Sequence, residues 1–351
     1  MKGGYSSLRT GLAGWISVTD TILNLHPGRS PAAGQNERQL MQIDILGAES
    51  RGVRGLSCVV EAADRTILID PGLALGYERH GLLPHPAQVA VGERVRWKIM
   101  RALERASDVV ISHLHGDHVP LPDANPYQLS ARRVAPLCQE TRFWVKGDRG
   151  LSSHMIDRRA GLSKALRRDL PSADGRNEGP LSFSSPVPHG QPDTHLGAVM
   201  MTRIEDAGTV FVHGSDIQLL DAEAVSLILA WGPDIALVGG PPLYLSGLMG
   251  PSLRQRAFQN AARLARRVDT LILDHHLLRC EEGLSWLDRL SSATRRLVIC
   301  AADYMKRPRH LLEARRDALY REMPVPSGWH TAYARGEVST DGYRRYVDRC
   351  A

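Results

Sequence analysis

The segment VVISHLHGDHVP, residues 109–120, constrains this chain more than any other. A short apolar run ends in His113, His115, Asp117 and His118, three histidines and an aspartate within six residues. In an extended strand, residues i and i+2 point the same way, so His113 and His115 face one point off the strand's end. Gly116 eases a turn, after which Asp117 and His118 face a second point beside the first. Imidazole and carboxylate suit zinc and other first-row ions. A lone histidine is usually a surface or core residue. The spaced H-x-H-x-D-H pattern arises by chance in roughly one chain of this length per thousand, so the bland reading gives way to a metal site.

The remainder alternates strand and helix patterns. Residues 1–40 carry few structure signals, and 26–39 are rich in Pro, Gly and polar residues. They are expected to be a disordered or loosely packed extension. The segments MQIDILGAES, SCVVEAA and RTILIDPG read as early strands, the third ending in Asp70. Residues 92–108 have helical spacing, and the strand at 108–112 delivers the histidines. Later strands are GAVMMTRI, GTVFVHGSD, IALVGG, DTLILDHH and RLVICAAD, with helices expected at 221–231, 252–267 and 283–292. Such alternation argues for an α/β domain over 41–351, mixed in strand direction and helical at its C-terminal end.

Several function classes are set aside. No apolar run approaches the length of a membrane span. The five cysteines are scattered, odd in number and without a CxxC, which points to a reducing, cytoplasmic setting. There is no G-x-S-x-G, no P-loop and no dinucleotide fingerprint, so a serine hydrolase, an NTPase and a dehydrogenase are poor readings.

The cluster His113-Leu-His115-Gly-Asp117-His118, set after a strand, resembles the signature of the metallo-β-lactamase superfamily. That family also carries an aspartate, a histidine, an aspartate and a histidine at later strand ends. Asp70 in ILIDPG, His189 in SPVPHGQPD, Asp216 in FVHGSD and His275 in LILDHH match them in order. The resemblance runs from about residue 41 to 304, and implies an αββα sandwich of two mixed sheets flanked by helices. It also implies two divalent ions, zinc first, with manganese or iron as alternatives. His113, His115 and His189 would hold one, and Asp117, His118 and His275 the other. Asp216 would bridge them, and Asp70 would orient the loop from behind. Asp117 and Asp216 would be the catalytic carboxylates. His195 competes with His189, which has the family's His-then-Gly layout. His276 competes with His275, and in an extended segment only one of two neighbours faces the site. His213 reads as a strand residue near the site, and His80 and His85 as residues of a Gly/Pro-rich loop.

Two divalent ions roughly 3.5–4 Å apart can share a hydroxide and polarise the bond it attacks. The resemblance therefore implies hydrolysis of an ester-like bond: phosphodiester, lactone, thioester or amide. Residues 131–168 hold ten Lys/Arg against three Asp/Glu, where this fold often builds its substrate wall. Arg158 and Arg159 are suited to phosphate oxygens, and His85 and His276 are further candidate substrate contacts. A small-molecule or anionic substrate is expected, nucleic acid among the options, since HGQPD resembles an element of ribonucleases of this fold. Lactone or thioester hydrolysis, or a non-hydrolytic redox or scaffold role, are the alternatives.

Overall fold

In a strand, alternate residues face opposite sides, and here both sides are apolar. The computed structural model describes residues 41–192, 197–345 and 347. The expectation for 1–40 and the competing His195 lie outside them. The strands are β1 (Gln42–Gly47), β2 (Ser57–Ala62), β3 (Arg65–Ile69), β4 (Asp108–Ile111), β5 (Arg142–Val145), β6 (Asn177–Glu178), β7 (Leu181–Phe183), β8 (Val187–Pro188), β9 (Ala198–Val199), β10 (Thr202–Asp206), β11 (Thr209–Ser215), β12 (Ile235–Val238), β13 (Thr270–Leu273) and β14 (Val298–Ile299). One five-stranded sheet runs β1-β2-β3-β4-β5, and a seven-stranded sheet runs β14-β13-β12-β11-β10-β7-β6. Each is mixed. β1 to β3 pair antiparallel and β3 to β5 parallel, while β11 to β14 pair parallel and β10 and β7 antiparallel.

The alternation assigns the layers. Ile67 and Ile69 of β3, Val110 of β4, Phe211 of β11, Leu237 of β12 and Ile272 of β13 share one core between the sheets. Their neighbours Leu68, Val109 and Ile111 point outward to α1 (Pro86–Leu103). On the other side, Ala236, Val238, Leu271 and Leu273 pack under residues of three further helices. These helices are numbered after α2 (Ala131–Val134) and α3 (Ser153–Leu166): α4 (Ala222–Ala230), α5 (Pro251–Ala265) and α6 (Glu282–Thr294). The result is the αββα sandwich that the resemblance implies. Short helices close the chain: α7 (Ala301–Tyr304), α8 (Arg316–Glu322) and α9 (Trp329–Ala334). No described helix is long and apolar enough to cross a membrane.

Three boundaries differ from the sequence reading, each for a local reason. α1 begins at Pro86 because His85 caps it, accepting from Ala87 N through Nδ1 at 3.1 Å. The strand expected in GAVMMTRI is two strands, and between them Met200 N donates to Ser112 O at 2.8 Å, joining the second sheet to the histidine-bearing strand. DTLILDHH stops being a strand at Leu273, and His275–Arg279 form a 3₁₀ turn.

Candidate metal centre

The parallel strands end on one edge of the sandwich, and their following loops carry the donors. β3 delivers Asp70, β4 delivers His113 to His118, β11 delivers Asp216 and β13 delivers His275. His189 arrives from the β8–β9 hairpin loop. Three of these strand ends turn sharply through left-handed backbone at non-glycine residues: Asp70 (φ 48°), Ser215 (φ 52°) and His275 (φ 46°). Such conformations cost roughly 1–3 kcal/mol each and persist where surrounding contacts hold them. Asp274 shows how. Its carboxylate accepts from His275 N, Ser50 N and Ala301 N at 2.7, 3.0 and 3.0 Å, pinning three segments at one point.

The seven donors expected from the sequence are brought together. The ligand atoms of His113, His115, His189 and Asp216 all lie within 4.8 Å of one another, as do those of Asp117, His118 and His275. Asp216 divides its carboxylate between the groups. Oδ2 is 3.4 Å from His113 Nε2 and 3.2 Å from His189 Nε2, while Oδ1 is 2.9 Å from His118 Nε2 and 3.2 Å from His275 Nε2. Donors about 2.1 Å from a shared tetrahedral ion stand roughly 3.4 Å apart, so this spacing fits a metal. The donor chemistry agrees, because Asp216 Oδ1 is buried without a hydrogen bond among the described residues.

Behind the donors lies a shell that fixes their orientation. Asp70 Oδ2 is 2.9 Å from His118 Nδ1, and its carboxylate also accepts from Ser112 N and Oγ at 2.8 and 2.7 Å. Ser112 Oγ reaches His113 Nδ1 at 3.0 Å. The Gln218 amide lies 3.2 Å from His189 Nδ1. These contacts turn Nε2 of His113, His118 and His189 inward. Arg279 braces the second group: Nε donates to Glu49 at 2.9 Å and Nη2 to Asp117 Oδ2 at 3.0 Å. Its Nη2 is also 2.7 and 3.3 Å from Nε2 and Nδ1 of His275. Being near both nitrogens, it lies over the ring and not in line with either lone pair.

Burial holds His113 below the usual imidazole range, His115 and His276 well below it, and brings His275 down to about 4. His118 differs. Burial opposes its charge, yet Asp216 and then Asp70 hold it well above the usual value. Burial would raise the Asp216 and Asp117 carboxyls, but His118 and His275 hold both well below the usual range. Neutral imidazoles and ionised carboxylates are the forms that bind metal.

His276 departs from expectation. The backbone here is not extended, so both neighbours turn inward, and His276 Nε2 lies 3.2 Å from Asp216 Oδ2. Both of its nitrogens are buried without a hydrogen bond among the described residues. Two suggested substrate contacts lie elsewhere. His85 is fully buried at the start of α1, with Nε2 2.9 Å from Met323 O. Arg159 is bound to Asp148 at 3.0 Å and to the Leu170 carbonyl. Arg158 does stand beside Asp117, lining the same hollow. His213 is a strand residue whose Nε2 is 2.9 Å from Leu56 O, across the sheets. Much of the basic charge of 131–168 is similarly engaged, as in Arg142 with Asp108, Lys146 with Asp174 and Arg168 with three carbonyls. Sequence reasoning missed Arg54, Glu49, Gln218 and Arg279. Two had a local signal: Gln218 is two residues beyond Asp216, and Arg279 four beyond His275.

No family model matches the chain. Among curated proteins, it is 50% identical over 303 residues to a UPF0282 protein of Methanosarcina mazei, covering 86% of this chain and 99% of that one. The chain belongs to the UPF0282 family. A second UPF0282 relative, from Methanopyrus kandleri, is 35% identical over 80% of this chain and 99% of its own. Among solved structures, this UPF0282 chain is similar to the metallo-β-lactamase fold protein YhfI of Bacillus subtilis. That match has 13% identity and a TM-score of 0.45, over 75% of this chain and 97% of that one.

Proposed function

We propose that this UPF0282 protein is a hydrolase with a two-ion centre that cleaves an ester-like bond with water. The observation that carries the reading is the divided carboxylate of Asp216, with a complete donor group on each oxygen. His113, His115 and His189 would hold one ion, and Asp117, His118 and His275 the other. When bound, such a pair supplies an acidified water and a Lewis acid for the developing oxyanion. The chain's own residues do the rest. Asp70 and Gln218 keep His118 and His189 turned inward, and Arg279 holds Asp117 in place. The cleft over the donors is lined by no serine or cysteine among the described residues, which favours water as the nucleophile over a covalent intermediate.

The test is turnover of a panel by the purified chain: bis(p-nitrophenyl) phosphate, RNA, lactones, thioesters and a β-lactam. At least one class should be hydrolysed, chelation should abolish turnover, and zinc or manganese should restore it. Undiminished turnover by protein verified to be metal-free would sink the mechanism.

A further inference from the structure

The cleft over the donors has two unlike ends. One is a polar hollow of about 180 Å³ that includes Arg54, Tyr77, Asn125, Gln128 and Arg158. The other is a cavity of about 580 Å³ with His115, His189, Asp216 and His276 among its lining residues. Six apolar residues also line it: Leu220, Pro242, Leu245, Leu248, Met249 and Leu253. Arg54, Gly116 and Asp117 line both ends, so the donor cluster stands at the junction.

Each end has a stated chemistry. Arg54 is half committed: Nε and Nη2 bind Glu313 at 2.6 and 2.5 Å, and Nη1 has no partner among the described residues. Arg158 gives Nη1 to Leu114 O at 3.1 Å, its Nε is buried without a partner, and Nη2 has none among the described residues. Asp117 is the one acid among the residues lining this hollow, and Arg279 already pairs it at 3.0 Å. Two guanidinium edges therefore face a hollow suited to a carboxylate or phosphate. At the far end, Leu248 is 72% exposed and Leu245 37% exposed, both on the loop between β12 and α5. A single exposed leucine is ordinary. Two on one loop, lining the same cavity as the donors, make an apolar wall of the kind that binds small molecules.

We infer that the substrate is an amphiphilic ester, with an anionic group in the Arg54–Arg158 hollow and an apolar group against the 242–253 wall. The bond cleaved lies between them, over Asp216. This rests on the hydrolytic reading above. One water is consumed: its oxygen bonds to the acyl carbon or phosphorus, the ester bond breaks, and the leaving oxygen departs with a proton. A polynucleotide, charged along its length, would set phosphates against leucines and is disfavoured.

The test is calorimetric binding of inorganic phosphate and of butyl, hexyl and octyl phosphate to the full chain as isolated. Each methylene placed on the wall should tighten binding roughly fourfold, so hexyl should exceed butyl phosphate roughly fifteenfold. Leu248→Ser, an uncharged change at an exposed position, should flatten the chain-length series. Arg158→Gln should weaken every member by a similar factor. Equal affinity for butyl and octyl phosphate, or tighter binding of a short RNA than of octyl phosphate, would overturn the inference. The two readings fail separately. A chain-length series without turnover of any ester leaves the ligand class standing and removes the hydrolase, whereas turnover without a chain-length series does the reverse.

Discussion

His275 and His276 show how one backbone angle redirects chemistry. In an extended strand their side chains would face opposite ways. His275 instead sits at φ 46° and opens a 3₁₀ turn, so both rings reach Asp216, at 3.2 Å each. The two rings serve different oxygens. His275 faces Oδ1 beside Asp117 and His118; His276 faces Oδ2, with its ring 5.2 Å from that of His189, and its ligand atom also groups with those of His275 and Asp216. His275→Ala should therefore lose the metal of the Asp117–His118 group. His276→Ala should weaken the metal of the His113–His189 group roughly 10–100-fold, the usual effect of a supporting neighbour. Chelator competition on both variants decides the matter. Wild-type affinity in His276→Ala would make that ring a bystander. Nothing in DHH announces a left-handed histidine, because the angle is set by Asp274, which ties the turn to Ser50 and Ala301. Those partners are distant in sequence, and no local pattern encodes them.

Between elements, the close approach of the β3 loop to the histidine turn is a matter of one glycine. A Cβ on Gly72 would stand 2.1 Å from Val119 N and 2.2 Å from the carbonyl carbon of His118. Backbone cannot yield as a flexible side chain does. Gly72→Ala should push the Asp70 loop off His118, costing about 1–3 kcal/mol of stability through overpacking. Metal affinity should fall with it, since the Asp70–His118 contact of 2.9 Å is what orients that ring. Thermal unfolding with and without added zinc measures both effects, with Gly342→Ala as the control, because nothing lies within 4 Å of a Cβ there. An unchanged melting temperature in Gly72→Ala would mean that the loops have slack. At this scale the sequence was readable where pattern is local. The short apolar runs of β3, β4, β11 and β13 mark strands, and their ends mark donors. A charge run is legible only with its partners: Arg159 and Arg142 meet acids folded against them, while Arg158 of the same run lines the hollow that holds Asp117 and Arg54.

For the molecule as a whole, the sandwich brings to one edge residues as far apart as Asp70 and His276. The order of the donors along the chain was legible through the family resemblance, and their convergence required the two sheets to stack. The bracing network was not legible. Arg279 meets Glu49 across 230 residues and Arg54 meets Glu313 across 259, pairs that only the completed fold assembles. The central claim is that this fold builds two metal positions sharing Asp216. Metal content per chain, measured by elemental analysis after dialysis, tests it most directly. The account predicts two ions in the wild-type protein and one in Asp117→Ala, with the circular dichroism of the variant unchanged. A wild-type protein that retains no ion, or the same number in wild type and Asp117→Ala, would contradict it.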